Sequence, residues 1–195
     1  MAVSPINPVD YNVIKNTIAR YCIALDTKDW ALLKTAVFTP DVQADFPFNR
    51  DMRGVDAVSA TIQGRSVRSH VFLASSLSLF LRLPLTHPSS RPRWWKIPEL
   101  TPMGAKTRLK NIPTQHALTT QMVEIQPDGV TAKATTYFTG VHFGRGKWQG
   151  QHLTSWGSYV DTLVRDDGKP GNWLISKRTV LFTERLGEER VMEGE

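Results

Sequence analysis

The chain of 195 residues is almost without cysteine: Cys22 stands alone. A disulfide framework and a cysteine-based metal site are thereby excluded, and a reducing, cytoplasmic compartment is expected. The N-terminal stretch "MAVSPINPVDYN" has neither a basic start nor an apolar run, so no secretory leader is read there. Long hydrophobic runs are lacking too. The longest, "HVFLASSLSLFLRLPL", covers 16 residues, includes Arg82 and ends at prolines, too short for a membrane span. No Walker-type glycine loop, dinucleotide fingerprint or nucleophile elbow is present, and "FGRGKW" is an isolated glycine pair in a hairpin turn. Three histidines outside the central segment, with Asp26 and Asp45, show no metal-ligand spacing, so no metal is expected.

What is present begins with charge. The net charge is +6, but residues 64–106 hold seven basic side chains and one acid, Glu99, which accounts for all of it. The remaining chain balances 17 basic against 17 acidic groups. The basic character therefore describes one segment and not a nucleic-acid-binding surface, and neither nucleic acid nor membrane is an expected partner. With 41% hydrophobic residues, the length suits one domain spanning 1–195.

Three regions follow along the chain. Asn7 and Pro8 supply an N-cap and a first helical residue. Ile14, Ile18, Tyr21, Cys22 and Leu25 then recur on one side of a 3.6-residue period, which predicts an amphipathic helix. Thr27 is read as the cap of a second helix through Trp30, Leu32, Leu33 and Val37, broken by "FTPD" at Pro40. "VQADF" reads as a short strand and "GVDAVSATIQ" as a third helix. From about Ile112 the chain is β-rich: "TQHALTTQMVEI" and "VTAKATTYFTGVHF" meet across "QPDG", and "WQGQHLTSWGSYVDTLV" and "NWLISKRTVLFTE" across "RDDGKPG". Strands of this length suit a strongly curved antiparallel sheet, and helices preceding them give an α+β domain with one face covered. The middle region, 64–106, fits neither pattern. It reads as an atypical insertion, or as retained intron sequence, in preference to a lid anchored by "RPRWWK".

The order helix, "ALDTKDW", "FTPDVQADF", "PTQH", long strands and a final "W…SKR" resembles the SnoaL-like branch of the NTF2-like superfamily, in particular scytalone dehydratase and its fungal relatives in natural-product pathways. The resemblance implies a cone-shaped α+β half-barrel with a deep pocket and acid–base chemistry on a small molecule without metal or organic cofactor. It also implies a homodimer or homotrimer. Asp26 matches the aspartate that in scytalone dehydratase pairs with a catalytic histidine, His116 in "TQH" matches that histidine, and His142 in "GVHF" is a looser match to a second pocket histidine. Leu25, Phe46 and Ser158 stand where that enzyme has two tyrosines and an asparagine. These departures point to a different substrate with related proton-transfer chemistry.

The residues themselves leave alternatives open. Asp26 at the end of an apolar helical face is, on its own, more often a local cap than a pocket residue, and its burial would be costly without a partner. His116, on one strand face with Leu118 and Met122, is on its own more often a core residue than a catalyst; paired with Asp26 it is a general base. His142 shares parity with Ala134, Thr136, Phe138 and Gly140, a face suited to lining a cavity. Phe46, Tyr137, Trp156 and Ser158 complete the expected substrate-binding set, with the Tyr137 and Tyr159 hydroxyls as available donors. The implied activity is a dehydratase, cyclase or isomerase acting on a polyketide, terpenoid or alkaloid intermediate. The contrasting reading is a non-catalytic binding or assembly module, because one fold hosts many functions.

Overall fold

Asn7 opens the first helix, α1 (Pro8–Thr27), by accepting the Val9 N–H on its side chain, with Pro8 at the first position where no N–H is needed. Ile14, Ile18, Tyr21 and Cys22 are buried along one stripe of α1, as the periodicity predicts. Burying each such side chain is worth about 1.5–3 kcal/mol, so this stripe fixes how α1 lies on the sheet. The computed structural model describes residues 7–64, 112–169 and 172–193. The segment 64–106 singled out by its composition lies, from position 65 onward, outside the described residues.

Three short elements follow α1. The helix α2 (Trp30–Ala36) is capped by Asp29, whose Oδ1 accepts the Leu32 N–H at 3.1 Å, and not by Thr27 as the sequence suggested. Thr27 is still helical: its hydroxyl donates to Ile23 O at 2.7 Å, and the chain turns only at Lys28, in the left-handed conformation with φ 62°. β1 (Phe38–Phe46) begins earlier than "VQADF". Pro40 does not end α2 but sits where the β1 register slips between Phe38 and Gln43, a bulge in which a missing N–H is tolerated. β2 (Asn49–Arg53) was not legible, being polar and exposed at the sheet edge. α3 (Val55–Gln63) buries Val58 and Ile62, which lie four residues apart on one helical face.

Four long strands make the body: β3 (Thr114–Ile125), β4 (Thr131–Phe143), β5 (His152–Arg165) and β6 (Trp173–Gly187). The sheet order is β2-β1-β6-β5-β4-β3, antiparallel throughout except for the β1–β6 pair, which is parallel. Bulges at Leu118/Gln121, Trp156/Gly157 and Thr162/Leu163 add local bend and twist. The sheet curves without closing, and the three helices pack on its inner face to give an α+β cone.

Two charged clusters hold the inner face. Asp161 and Arg178 are cross-strand partners on β5 and β6, both fully buried and joined by two bonds of 2.7 and 2.6 Å. The Arg178 guanidinium carbon lies 4.0 Å from the Tyr21 ring centroid and 4.4 Å from that of Tyr159, so the cation is enclosed by aromatic faces as well as paired. Beside it, burial pushes the Cys22 thiol up to about 12, with Arg178 opposing and Asp26 adding to the shift. Cys22 is therefore a protonated core residue at neutral pH. At the start of α1, Asp10 takes hydrogen bonds from Arg165 at 2.7 Å and Trp173 at 3.0 Å, tying that end to β5 and β6. No helix among the described residues is long and apolar enough to cross a membrane.

Candidate active site

The end of α1 and the start of β3 meet at Asp26. Its Oδ2 accepts the His116 backbone N–H at 2.8 Å, and its Oδ1 lies 2.7 Å from His116 Nδ1 and accepts the Thr114 hydroxyl at 2.9 Å. Three donors thus fix one carboxylate. Burial opposes its ionisation, but the His116 side-chain bond and charge, the His116 N–H and the Thr114 hydroxyl outweigh it, holding Asp26 below the usual carboxylate range. An ionised carboxylate only accepts, so Nδ1 of His116 carries a proton and Nε2 of the neutral ring keeps its lone pair. The His116 side chain is 8% exposed and that of Asp26 is 23% exposed, so the pair sits at a wall and not on the surface.

The imidazole lies across the neighbouring strand. His116 on β3 is the register partner of Gly140 on β4, and a Cβ built on Gly140 would stand 3.1 Å from both Cδ2 and Nε2 of His116. The absence of a side chain at Gly140 thus leaves the ring room to lie flat there, where a Cβ would displace it by a few tenths of an ångström. His142, two residues along β4 and opposite Thr114, is buried, and its ring meets that of His116 edge-to-face at 6.1 Å.

His116 and His142 line a pocket that is partly open to solvent. Leu25, Trp30, Phe46, Phe48, Ile62 and Phe138 give it an apolar wall, and Tyr21, Lys28, Thr114 and Tyr159 also line it. Phe138 stacks on Tyr159 with centroids 4.3 Å apart. Gly157 makes this stack possible, since a Cβ there would fall 2.9 Å from Phe138 Cε1 and 2.1 Å from the Leu181 carbonyl oxygen. Burial, with Cys22 and Tyr21 adding and Arg178 opposing, raises the Tyr159 phenol well above its ordinary range, so it stays a neutral donor at physiological pH. Among the described residues no group of three or more His, Cys, Asp or Glu side chains is placed to hold a metal ion.

A family model described as the SnoaL-like domain matches residues 9–87 and 99–179. The chain belongs to the SnoaL-like family. The SnoaL-like match is interrupted between 87 and 99, a shorter gap than the 64–106 segment set apart by composition. No curated protein matches the chain in sequence. Among solved structures, the chain is similar to a candidate scytalone dehydratase from Novosphingobium aromaticivorans DSM 12444 (16% identity, TM-score 0.60, 93% of this chain and 89% of that one). It is also similar to hexachlorocyclohexane dehydrochlorinase LinA-type3 from Novosphingobium barchaimii LL02 (12% identity, TM-score 0.58, 94% and 95%). A third neighbour is an NTF2-like superfamily protein from Salmonella enterica (13% identity, TM-score 0.56, 90% and 92%). At these identities the likeness establishes the fold.

Within this SnoaL-like cone the expected residues divide. His116, His142 and Phe46 line the pocket, and Asp26 stands behind His116, hydrogen-bonded to it. Tyr137, Trp156 and Ser158 do not. On β4 the even-numbered residues from Ala132 to His142 face inward, which leaves Tyr137 on the outer face, 54% exposed. On β5 the inward set is Leu153, Ser155, Gly157, Tyr159 and Asp161, so Trp156 and Ser158 are also outward, and Trp156 is 37% exposed. Met122 departs from the face of His116 for another reason: the bulge between Leu118 and Gln121 reverses the β3 alternation and leaves Met122 exposed. Sequence reasoning missed Thr114, Lys28, Tyr21 and Trp30 as site residues. Thr114 was within reach, standing two residues before His116 and hence on the same strand face. Lys28 was not, because its place depends on the left-handed turn that ends α1.

Proposed function

We propose that this SnoaL-like protein is a lyase or isomerase that acts by acid–base catalysis on a small, ring-containing natural-product intermediate of the polyketide, terpenoid or alkaloid type. The observation that carries the reading is the Asp26–His116 pair: a carboxylate bound by three donors, fixing the tautomer of an imidazole at the wall of an apolar pocket. Nε2 of His116 takes a proton from carbon next to a substrate carbonyl. The electron pair moves onto the carbonyl oxygen as an enolate, and a nearby donor, His142 or the Tyr159 or Tyr21 hydroxyl, accepts the developing charge. The enolate then collapses in one of two ways. Expulsion of a β-hydroxyl, protonated by the imidazolium, gives net loss of water; return of the proton to a different carbon gives an isomer. A base so placed contributes on the order of 10² to 10⁴ in rate.

Apolar walls around one polar corner suit a compact hydrocarbon skeleton with few oxygens. The reading keeps the homodimer or homotrimer that the family resemblance implies, and a monomeric mass by light scattering would remove that part. Its main test is incubation with a panel of cyclic β-hydroxyketones, followed by mass spectrometry for the dehydrated product. Wild-type protein is expected to convert at least one member, and His116→Ala, with an unchanged circular dichroism spectrum, none. No conversion by wild-type protein would favour a binding or assembly module, and equal conversion by both would remove His116 as the base.

A further inference from the structure

Lys28 is the cation of this pocket, and nothing in the acid–base chemistry above uses it. It ends α1 in the left-handed conformation with φ 62° and ψ 26°, a position where glycine is the usual residue and a lysine is unfavourable. The backbone thus accepts strain at a point that aims a long cationic side chain at the pocket wall, where Lys28 meets Thr114 and lines the same pocket as His116. Its Nζ donates to Thr114 Oγ1 at 3.0 Å, and the Thr114 hydroxyl donates in turn to Asp26 Oδ1 at 2.9 Å. No carboxylate among the described residues lies within ion-pair distance of Lys28, and the nearest, Asp26, already accepts three hydrogen bonds. An ammonium group has three donors, and one is used. Burial pulls Lys28 below the usual lysine range, with Asp26 opposing, so an anionic oxygen from outside would restore what burial takes from the charged form.

We propose that Lys28 is a substrate-binding residue that receives an anionic oxygen, a carboxylate or acidic phenolate, at the polar corner of the pocket, so that the preferred ligands are ring-sized acids and not neutral molecules of the same shape. This rests on the reading of the pocket as the substrate site and adds a substrate class to it. The oxygen docks on the ammonium beside His116 while the rings occupy the space between Trp30, Phe46 and Phe138. Thr114 couples the two ends of the corner: it holds the ammonium on one side and the Asp26 carboxylate on the other.

Calorimetric titration with 2-naphthoate and with its neutral analogue 2-naphthalenemethanol tests this without any turnover. Wild-type protein is expected to bind the acid about tenfold more tightly than the alcohol, the value of one charge-assisted hydrogen bond at a partly shielded site. Lys28→Arg should keep the preference. Lys28→Met should bring the ratio to one or below, and so should Lys28→Gly, which retains the left-handed turn and guards against misfolding. Equal binding of acid and alcohol by the wild type, or a preference that survives in Lys28→Met or Lys28→Gly, would overturn the proposal. Neither result bears on whether His116 is the base, which the dehydration panel decides separately.

Discussion

Replacing Asp26 by Asn changes one atom and reverses the chemistry of the pair. The carboxylate receives the His116 N–H on Oδ2, and His116 Nδ1 and the Thr114 hydroxyl on Oδ1. An amide has one oxygen and must choose. If the oxygen stays near Nδ1, the amide NH₂ confronts the backbone N–H of His116, a donor that has no other form. If it turns to the backbone, the NH₂ faces Nδ1 and Thr114, both of which adapt: the hydroxyl rotates and the imidazole moves its proton to Nε2. The second arrangement satisfies every group and wins. The variant should therefore fold with an Nε2–H imidazole that has no lone pair toward the pocket. A loss of 10² to 10⁴ in rate follows, the usual contribution of a positioned base. The stability cost is smaller, about 1.5–3 kcal/mol, because charge-assisted bonds become neutral ones while none is left unmade. Dehydration rates on the hydroxyketone panel, urea denaturation and nitrogen-15 shifts of the imidazole measure the three quantities. A variant that keeps more than a tenth of the wild-type rate, or whose His116 remains protonated on Nδ1, would refute the tautomer argument.

Gly140→Ala should act on the same ring from the opposite side. The new Cβ would press on Nε2 and Cδ2 at 3.1 Å, so the imidazole must shift by a few tenths of an ångström; about a tenfold drop in turnover with little change in stability is expected. An unchanged rate would show that the ring has slack. Gly157→Ala is a contrasting control, since its Cβ would strike the Leu181 carbonyl oxygen at 2.1 Å and should prevent folding or shift β5 against β6, seen as lost soluble yield or a collapsed melting transition. Acid sensitivity gives another test. Asp26 has its pKa lowered on folding, so its contribution is complete above the unfolded carboxylate value of about 3.9 and is lost as pH falls through the lower folded value. The stability gap between wild type and Asp26→Asn should thus shrink below about pH 4, and a gap undiminished at pH 3 would contradict the assignment.

Much of this molecule was legible because its signals are local and redundant. Asn7 and Pro8 mark where α1 starts, and five apolar residues of one period mark the side it buries, so the helix could be placed before any neighbour was known. The long strands carry alternation and turn chemistry that predict their pairing. Asp26 and His116, 90 positions apart, were joined only through the family pattern, and the hydrogen bonds supply the physical reason for that pattern. What failed depends on single-residue irregularities. One bulge in β3 reversed the alternation and sent Met122 outward. On β5, "TSWGSY" presents an aromatic residue to each face, so parity could not choose between Trp156 and Tyr159; the space at Gly157, which admits the Phe138–Tyr159 stack, decides it. The Asp29 cap and the placement of Lys28 both follow from one positive φ, which a sequence rich in Asp, Thr and Lys does not announce.

The central claim is that Nε2 of His116 removes a proton from carbon. Deuterium uptake at the carbon beside the carbonyl of 1-tetralone, followed by proton NMR in heavy water, measures that step without requiring the natural substrate. Wild-type protein is expected to exceed the buffer rate, and His116→Ala, folded to the same melting transition, to fall back to it. Exchange by His116→Ala as fast as by the wild type, with both above buffer, would mean that the proton leaves by another route and that the pair is structural.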